Sequence, residues 1–299
     1  MRKNHLKTNK TCKYILNSVL YYIYREKKSL KEVFGVIIRF EVENFLSFKK
    51  KQSCSLIPSN NLKKKKEHCF AKNGVRLLRL SAIYGGNASG KTNFIKSIDF
   101  FRFIVLNKVP TDMTHSYFRE INENQDKPSK FEIEFIKNNS VYAYGIQVLC
   151  SRRKLISEWL YKLYPESDSE ELLYEREWSG DSYNIEINKD IIMGDDRIRL
   201  EFVTADIKKN EFTLLLNEMN RNKEIQKNSA LYFFKEVYDW FENDLAIYFP
   251  DEPITSFDYV KDNCKNNERI NKLISAFDTG ISSITMEKVN KEKTENLPR

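Results

Sequence analysis

Eight consecutive residues constrain this chain more than any others. Gly85-Gly86-Asn87-Ala88-Ser89-Gly90-Lys91-Thr92 matches G-x-x-x-x-G-K-[ST] at every fixed position. The flanks agree with the motif. Leu77–Tyr84 (LLRLSAIY) is a mostly apolar run that reads as a buried strand. From Lys91 to Val105, Phe94, Ile98, Phe101 and Val105 fall on one helical face. Strand, small-residue loop and helix in that order specify an α/β phosphate-binding unit.

The residue types explain the spacing. A loop of small residues lets backbone N–H groups turn inward around a phosphate. Gly85 and Gly90 permit backbone geometry that a side chain would block, and Asn87, Ala88 and Ser89 keep the loop slim. The following helix presents the positive end of its dipole. Lys91 is a point charge for the β- and γ-phosphates, and the Thr92 hydroxyl is a Mg²⁺ ligand beside them. The expected cofactors are therefore ATP and Mg²⁺. The bland alternative is a glycine-rich turn with an incidental lysine, and the correct flanks on both sides argue against it.

Around this unit the pattern is first β, then α. Ile37–Val42 reads as a strand, Asn44–Phe48 as the turn leaving it, and Lys49–Ile57 as a second strand paired to the first. Asn107–Asp126 is polar and loop-like. Phe131–Phe135 and Val141–Val148 alternate around a turn at Asn138-Asn139, and Leu155–Leu163, Leu172–Glu177 and Tyr183–Ile187 extend the β character. From about Arg197 the spacing turns helical, most clearly in Phe212–Met219 and Ala230–Phe241. Asn271–Phe277 is a weaker helix and Ile281–Val289 a last strand. This gives three segments: a basic extension at 1–35, an α/β part with the phosphate loop at 36–196, and a mainly helical part at 197–299.

Two stretches, IIRFEVENFLSF (Ile37–Phe48) and LSAIYGGNASGKTNFIKSI (Leu80–Ile98), together resemble the ABC-type, RecF-like ATPases known as bacterial AAA family ATPases. That group includes the OLD (overcoming lysogenization defect) family and relatives in anti-phage defence. FEIEF, YAYGI and ISEWL extend the likeness at pattern level, over roughly 36 to 289. The resemblance implies a P-loop NTPase of ABC-ATPase head type, with a β-rich lobe and a helical insertion. It also implies two heads that sandwich ATP, so the expected partners are a second copy or a partner ATPase half, with DNA or an effector nuclease in a separate chain. Phosphate binding carries over to Gly85, Asn87, Gly90, Lys91 and Thr92, and the likeness places Asn44 and Phe45 near the nucleotide.

The chain departs from that pattern in several respects. No LSGGQ-like signature is present. The one Walker B candidate is Leu245–Glu252 (LAIYFPDE), and Pro250 interrupts it just before Asp251-Glu252. A surface loop is the better reading there. The catalytic residues are thus unknown, and the C-terminal half of the head looks missing: the chain grips phosphate without the recognisable parts that split ATP. A frameshift or early stop would explain this, as would a split protein whose other half is a separate chain. Gln147 is a candidate for the Mg²⁺-sensing Gln of such heads. Glu132, Glu134, Glu170 and Glu171 read as solvent-face residues rather than a nuclease centre, and Trp159, Trp178 and Trp240 as core or interface residues. His5, His68 and His115 are isolated, with His68-Cys69 the only close His/Cys pair.

Composition excludes several classes. Aromatic residues make up 13% of the 299, which rules out global disorder. Five scattered Cys form no disulfide framework, and with no membrane-length apolar run a cytoplasmic setting is expected. The net charge of +8 is uneven, since residues 1–66 hold 17 Lys/Arg against 4 Glu. Much of that lies before Val36, so charge-based arguments for nucleic acid rest on the first 35 residues. The tetra-lysine Lys63–Lys66 reads as a solvated loop or as a phosphate-backbone contact. Tyr14–Tyr24 behind its basic lead fits an amphipathic arm or an interfacial helix. A third reading makes Met1–Gly35 translated leader, because Lys31-Glu32-Val33 is what a ribosome-binding sequence encodes when read as codons, with Val36 as the start.

Overall fold

The computed structural model describes residues 35–59, 66–120, 122–188, 192–221 and 224–249. All but Tyr248 and Phe249 fall in one compact unit, Val33–Ile247. The basic arm, Lys63–Lys65, Asp251-Glu252 and the elements expected at 271–277 and 281–289 lie outside the described residues.

In chain order the strands are β1 (Val36–Glu43), β2 (Gln52–Ser55), β3 (Cys69–Lys72), β4 (Val75–Leu78), β5 (Ser129–Lys137), β6 (Ser140–Leu149), β7 (Lys154–Tyr164), β8 (Ser169–Trp178) and β9 (Tyr183–Ile187). The helices are α1 (Lys91–Leu106), α2 (Gly194–Ile207), α3 (Leu215–Asn220) and α4 (Tyr232–Asp239), the last running into a π-helical turn, Trp240–Asp244. Seven strands form one sheet in the order β2-β1-β5-β6-β7-β8-β9, every pairing antiparallel. β3 and β4 form a separate hairpin. The result is a mixed α/β body built on a large antiparallel sheet.

Alternation sets which face is covered. In β5, Phe131, Ile133 and Phe135 are fully buried while Lys130, Glu132 and Glu134 point to the other face. β6 repeats this with Tyr142, Tyr144, Ile146 and Val148. The β5–β6 turn falls at Asn138-Asn139, where Asn138 takes a left-handed φ of 53° that Asn tolerates. The helices cover the apolar face. Phe101 of α1 stacks on Phe131 and Tyr144, and Trp240 stacks on Phe135 at 4.1 Å between ring centroids. Arg102 pins α1 to the π-helical turn by donating to the carbonyls of Phe241 and Glu242.

A buried ionic knot ties the helices to the sheet. Glu158, on β7, and Arg176, on β8, are both 1% exposed and lie 3.8 Å apart. The Glu158 carboxylate accepts from the hydroxyls of Tyr144 and Tyr174 at 3.0 and 2.7 Å. It also accepts from the backbone N–H groups of Leu215 and Leu216 at 2.7 and 3.0 Å. Arg176 donates to the carbonyls of Thr213, Ile207 and Asn210, the ends of the α2–α3 connection. Burial pulls the Arg176 guanidinium below its ordinary pKa, and the Glu158 charge opposes that. Burial, followed by the charge of Glu158, pushes the Tyr144 and Tyr174 hydroxyls well above theirs, so both stay protonated donors. The knot fixes α3, and Asn217 of α3 then donates to the Val105 carbonyl at the end of α1.

The expected buried strand Leu77–Tyr84 needs correction. β4 ends at Leu78, and Arg79–Gly86 forms no strand. Leu77 is fully buried, but Leu80, Ile83 and Tyr84 are 74%, 44% and 88% exposed. The apolar run marks a capacity for burial; realising it requires a neighbouring strand, and the seven-stranded sheet does not reach this segment.

Candidate nucleotide-binding site

The phosphate loop connects that exposed run to α1. Gly90 occupies the N-cap of α1 with φ 90° and ψ 0°, and Ala88 has a left-handed φ of 62°. These reversals fold residues 86–89 into a tight turn, closed by the Ser89 N–H donating to the Gly86 carbonyl. Phe94 is the first residue to return a helical hydrogen bond, to the Gly90 carbonyl at 2.9 Å. Among the described residues the N–H groups of Lys91, Thr92 and Asn93 have no partner, which leaves them for a ligand. No acidic side chain occupies this first turn, and Asn87, Ser89 and Thr92 are exposed.

The Lys91 ammonium folds back over the loop. It donates to the carbonyls of Gly85 and Gly86 at 2.7 and 2.6 Å and lies 3.4 Å from Ser89 Oγ. Among the described residues no carboxylate is its partner. Cradle, lysine and exposed Thr92 hydroxyl fit a nucleotide triphosphate with its Mg²⁺: Gly85–Thr92 would hold the phosphates, and Thr92 would hold the ion.

The turn after β1 supports this loop from outside. Asn93 of α1 donates to Ser47 Oγ at 3.1 Å. A Cβ on Gly90 would sit 2.9 Å from Ser47 Oγ and 3.3 Å from the Phe48 ring. With its left-handed φ, Gly90 is thus doubly required. Gly90→Ala is expected to destabilise the protein by about 1–2 kcal/mol in a urea melt and to weaken nucleotide binding as well.

Ser47 was not singled out from the sequence, although the turn containing it was. Asn44 and Phe45 belong elsewhere. Asn44 is 4% exposed; it donates to the carbonyls of Asn124 and Lys127 and accepts from the Phe118 N–H, which ties three loops together. Phe45 is 2% exposed and packs on Phe100 and Phe131. Both hold the surrounding loops and core, and their turn-mates Ser47 and Phe48 reach the phosphate loop.

The remaining candidates disperse. Gln147 lies inside β6, opposite Lys130 and Ser157. Leu245–Phe249 forms no strand and follows the π-helical turn, as a surface segment would. Glu134 pairs with Arg39 and Glu132 with Lys130, while Glu171 accepts from Tyr164 and Asn188. Trp240 is core; Trp159 and Trp178 lie under the ammonium groups of Lys130 and Lys154. Among the described residues no group of three or more His, Cys, Asp or Glu could hold a metal ion, and no helix is long and apolar enough to cross a membrane.

A P-loop ahead of an amphipathic helix, set against a mixed α/β body, defines a nucleotide-binding domain of the NTPase class. The family model described as "AAA domain, putative AbiEii toxin, Type IV TA system" matches residues 80–248, more than half of the chain. The chain belongs to this AAA domain family. No curated protein and no solved structure matches it.

Proposed function

We propose that this protein binds Mg·ATP through Gly85–Thr92 as part of an ABC-type ATPase head of the RecF/OLD-like class, and that turnover depends on carboxylates supplied by a partner. The carrying observation is the phosphate loop, whose first-turn N–H groups are free, and whose lysine has only neutral partners, among the described residues. Family membership supports nucleotide use. The lack of a signature segment and of an unbroken Walker B strand in the sequence supports a division of labour, in which this chain positions the triphosphate and another polypeptide completes the water-activating machinery. That polypeptide is a separate ATPase half, a second copy serves as the other head of the pair, and the assembled unit acts on DNA or on an effector nuclease. The family description names a toxin of a type IV toxin–antitoxin system, which fits a role in defence against phage.

The test uses the purified full chain with Mg²⁺ and a fluorescent ATP analogue, followed by phosphate release from ATP. Saturable binding with no release above background by the chain alone is expected. Absence of binding would sink the proposal. Release that depends on Lys91 but needs no partner would sink the division of labour while leaving the ATPase itself.

A further inference from the structure

Helix α2 is apolar on two sides. Its inner side, Leu200, Val203 and Ile207, is buried in the core. Its outer side carries Ile198 and Phe202, 54% and 70% exposed and one turn apart, with Ala205 exposed a further turn on. A helix that only covers a core needs one such side. The outer side runs into charge at both ends. Asp195, Ile198, Phe202, Ala205 and Lys209 follow one another at alternating spacings of three and four residues, the repeat that keeps a seam on one side of a helix. Lys208 keeps helical dihedrals, so the line of α2 continues to Lys209. A carboxylate therefore heads the seam and an ammonium ends it, and among the described residues neither has an ion-pair partner. The helix's other charges are engaged or lie beside the seam. Arg197 pairs with Glu201 at 3.1 Å, Asp196 accepts from the Ser229 hydroxyl and the Ala230 N–H, and Arg199 donates to the Glu224 carbonyl. Asp206 stands one turn before Lys209, and Lys208 falls to one side of it.

We propose that this seam is an interface between two copies of the chain, whose α2 helices pack antiparallel about a two-fold axis near Phe202 in the absence of nucleotide. Self-complementarity selects the occupant. The axis sets Phe202 beside its own counterpart, Ile198 beside the small Ala205, and Asp195 beside Lys209, so each seam residue meets a suitable one in an identical chain. Parallel pairing would bring like charges together at both ends. A partner of single charge would satisfy one end of the seam and repel the other. A seam of about four helical turns is smaller than the ~1,600 Å² of a standard interface, so the association is weak and depends on concentration. It uses no residue of Gly85–Thr92 and does not rest on the Mg·ATP reading.

Analytical sedimentation of the full chain without nucleotide tests it. The mass is expected to rise from one chain toward two between about 1 and 100 µM. Phe202→Glu, a change at an exposed side chain, should hold the protein to a monomer that melts where the dilute parent does. Lys209→Glu and Asp195→Lys should each weaken self-association by about tenfold, because two-fold symmetry places each change in the interface twice. Mixed together, the two variants should associate as strongly as the parent, since both end pairs are then opposite in charge. A monomer at every concentration would overturn the proposal, and so would self-association that survives Phe202→Glu. A mixture no stronger than its separate components would overturn the antiparallel seam. Parent and Lys91→Ala are run with and without Mg·ATP to keep this interface apart from the phosphate loop. Pairing in both without nucleotide supports the α2 seam, whereas pairing that needs Mg·ATP and is lost in Lys91→Ala belongs to the phosphate loop and sinks it.

Discussion

Glu158→Ala is expected to cost about 3–5 kcal/mol, because truncating one partner leaves a buried guanidinium uncompensated. Arg176 is 1% exposed and cannot turn to water without dismantling the α2–α3 connection whose carbonyls it holds. The change also strips acceptors from two tyrosine hydroxyls and from the N–H groups of Leu215 and Leu216. A urea titration followed by circular dichroism gives the number. A double-mutant cycle separates the charge from the rest: adding Arg176→Met to Glu158→Ala should recover part of the loss, because the unpaired cation is gone. The orphaned backbone donors remain in either variant, so recovery should be incomplete. A loss below about 1 kcal/mol for Glu158→Ala would show that the knot is open to solvent.

Lys91→Ala should abolish the stabilisation that Mg·ATP gives the parent. A ligand at about 100 times its dissociation constant stabilises the folded state by about 2.7 kcal/mol. For a folded unit of this size that is a rise of roughly 5–10 °C in melting temperature. In the variant the shift should vanish, while the melting temperature without nucleotide stays close to the parent's. Among the described residues Lys91 bonds only to loop carbonyls and Ser89 at the surface, so removing it withdraws little from the core. Equal shifts in parent and variant would mean that ATP binds elsewhere.

The β-rich half of the molecule was legible because its strands are half-buried and therefore alternate. FEIEF and YAYGI declare both their face and their turn, and the observed hairpin differs only by a residue or two at each end. Helix α1 was legible for the same kind of reason. The run LLRLSAIY misled because hydrophobicity records what a segment can bury, whereas a strand needs a neighbour to pair with. Glu158 was invisible for the opposite reason. Between Ser157 and Trp159 on a strand it reads as one more surface carboxylate, and its partners arrive from β6, β8 and the start of α3. In the site, the phosphate-loop residues are contiguous and so announce themselves. Ser47 acts on the loop from 43 positions before Gly90, and only the folded chain brings it there.

The inward fold of Lys91 changes what capturing a phosphate means. The ammonium is already satisfied by two carbonyls, so an arriving triphosphate adds no new bond to an idle charge; it trades places with the loop's own oxygens. Association is then an exchange reaction, in which the enthalpy of the new ionic contacts is offset by that of the two bonds given up. Selectivity follows from the same exchange, because a weakly charged anion cannot outbid the carbonyls, and a polyanion that engages the helix N-terminus as well as the lysine can.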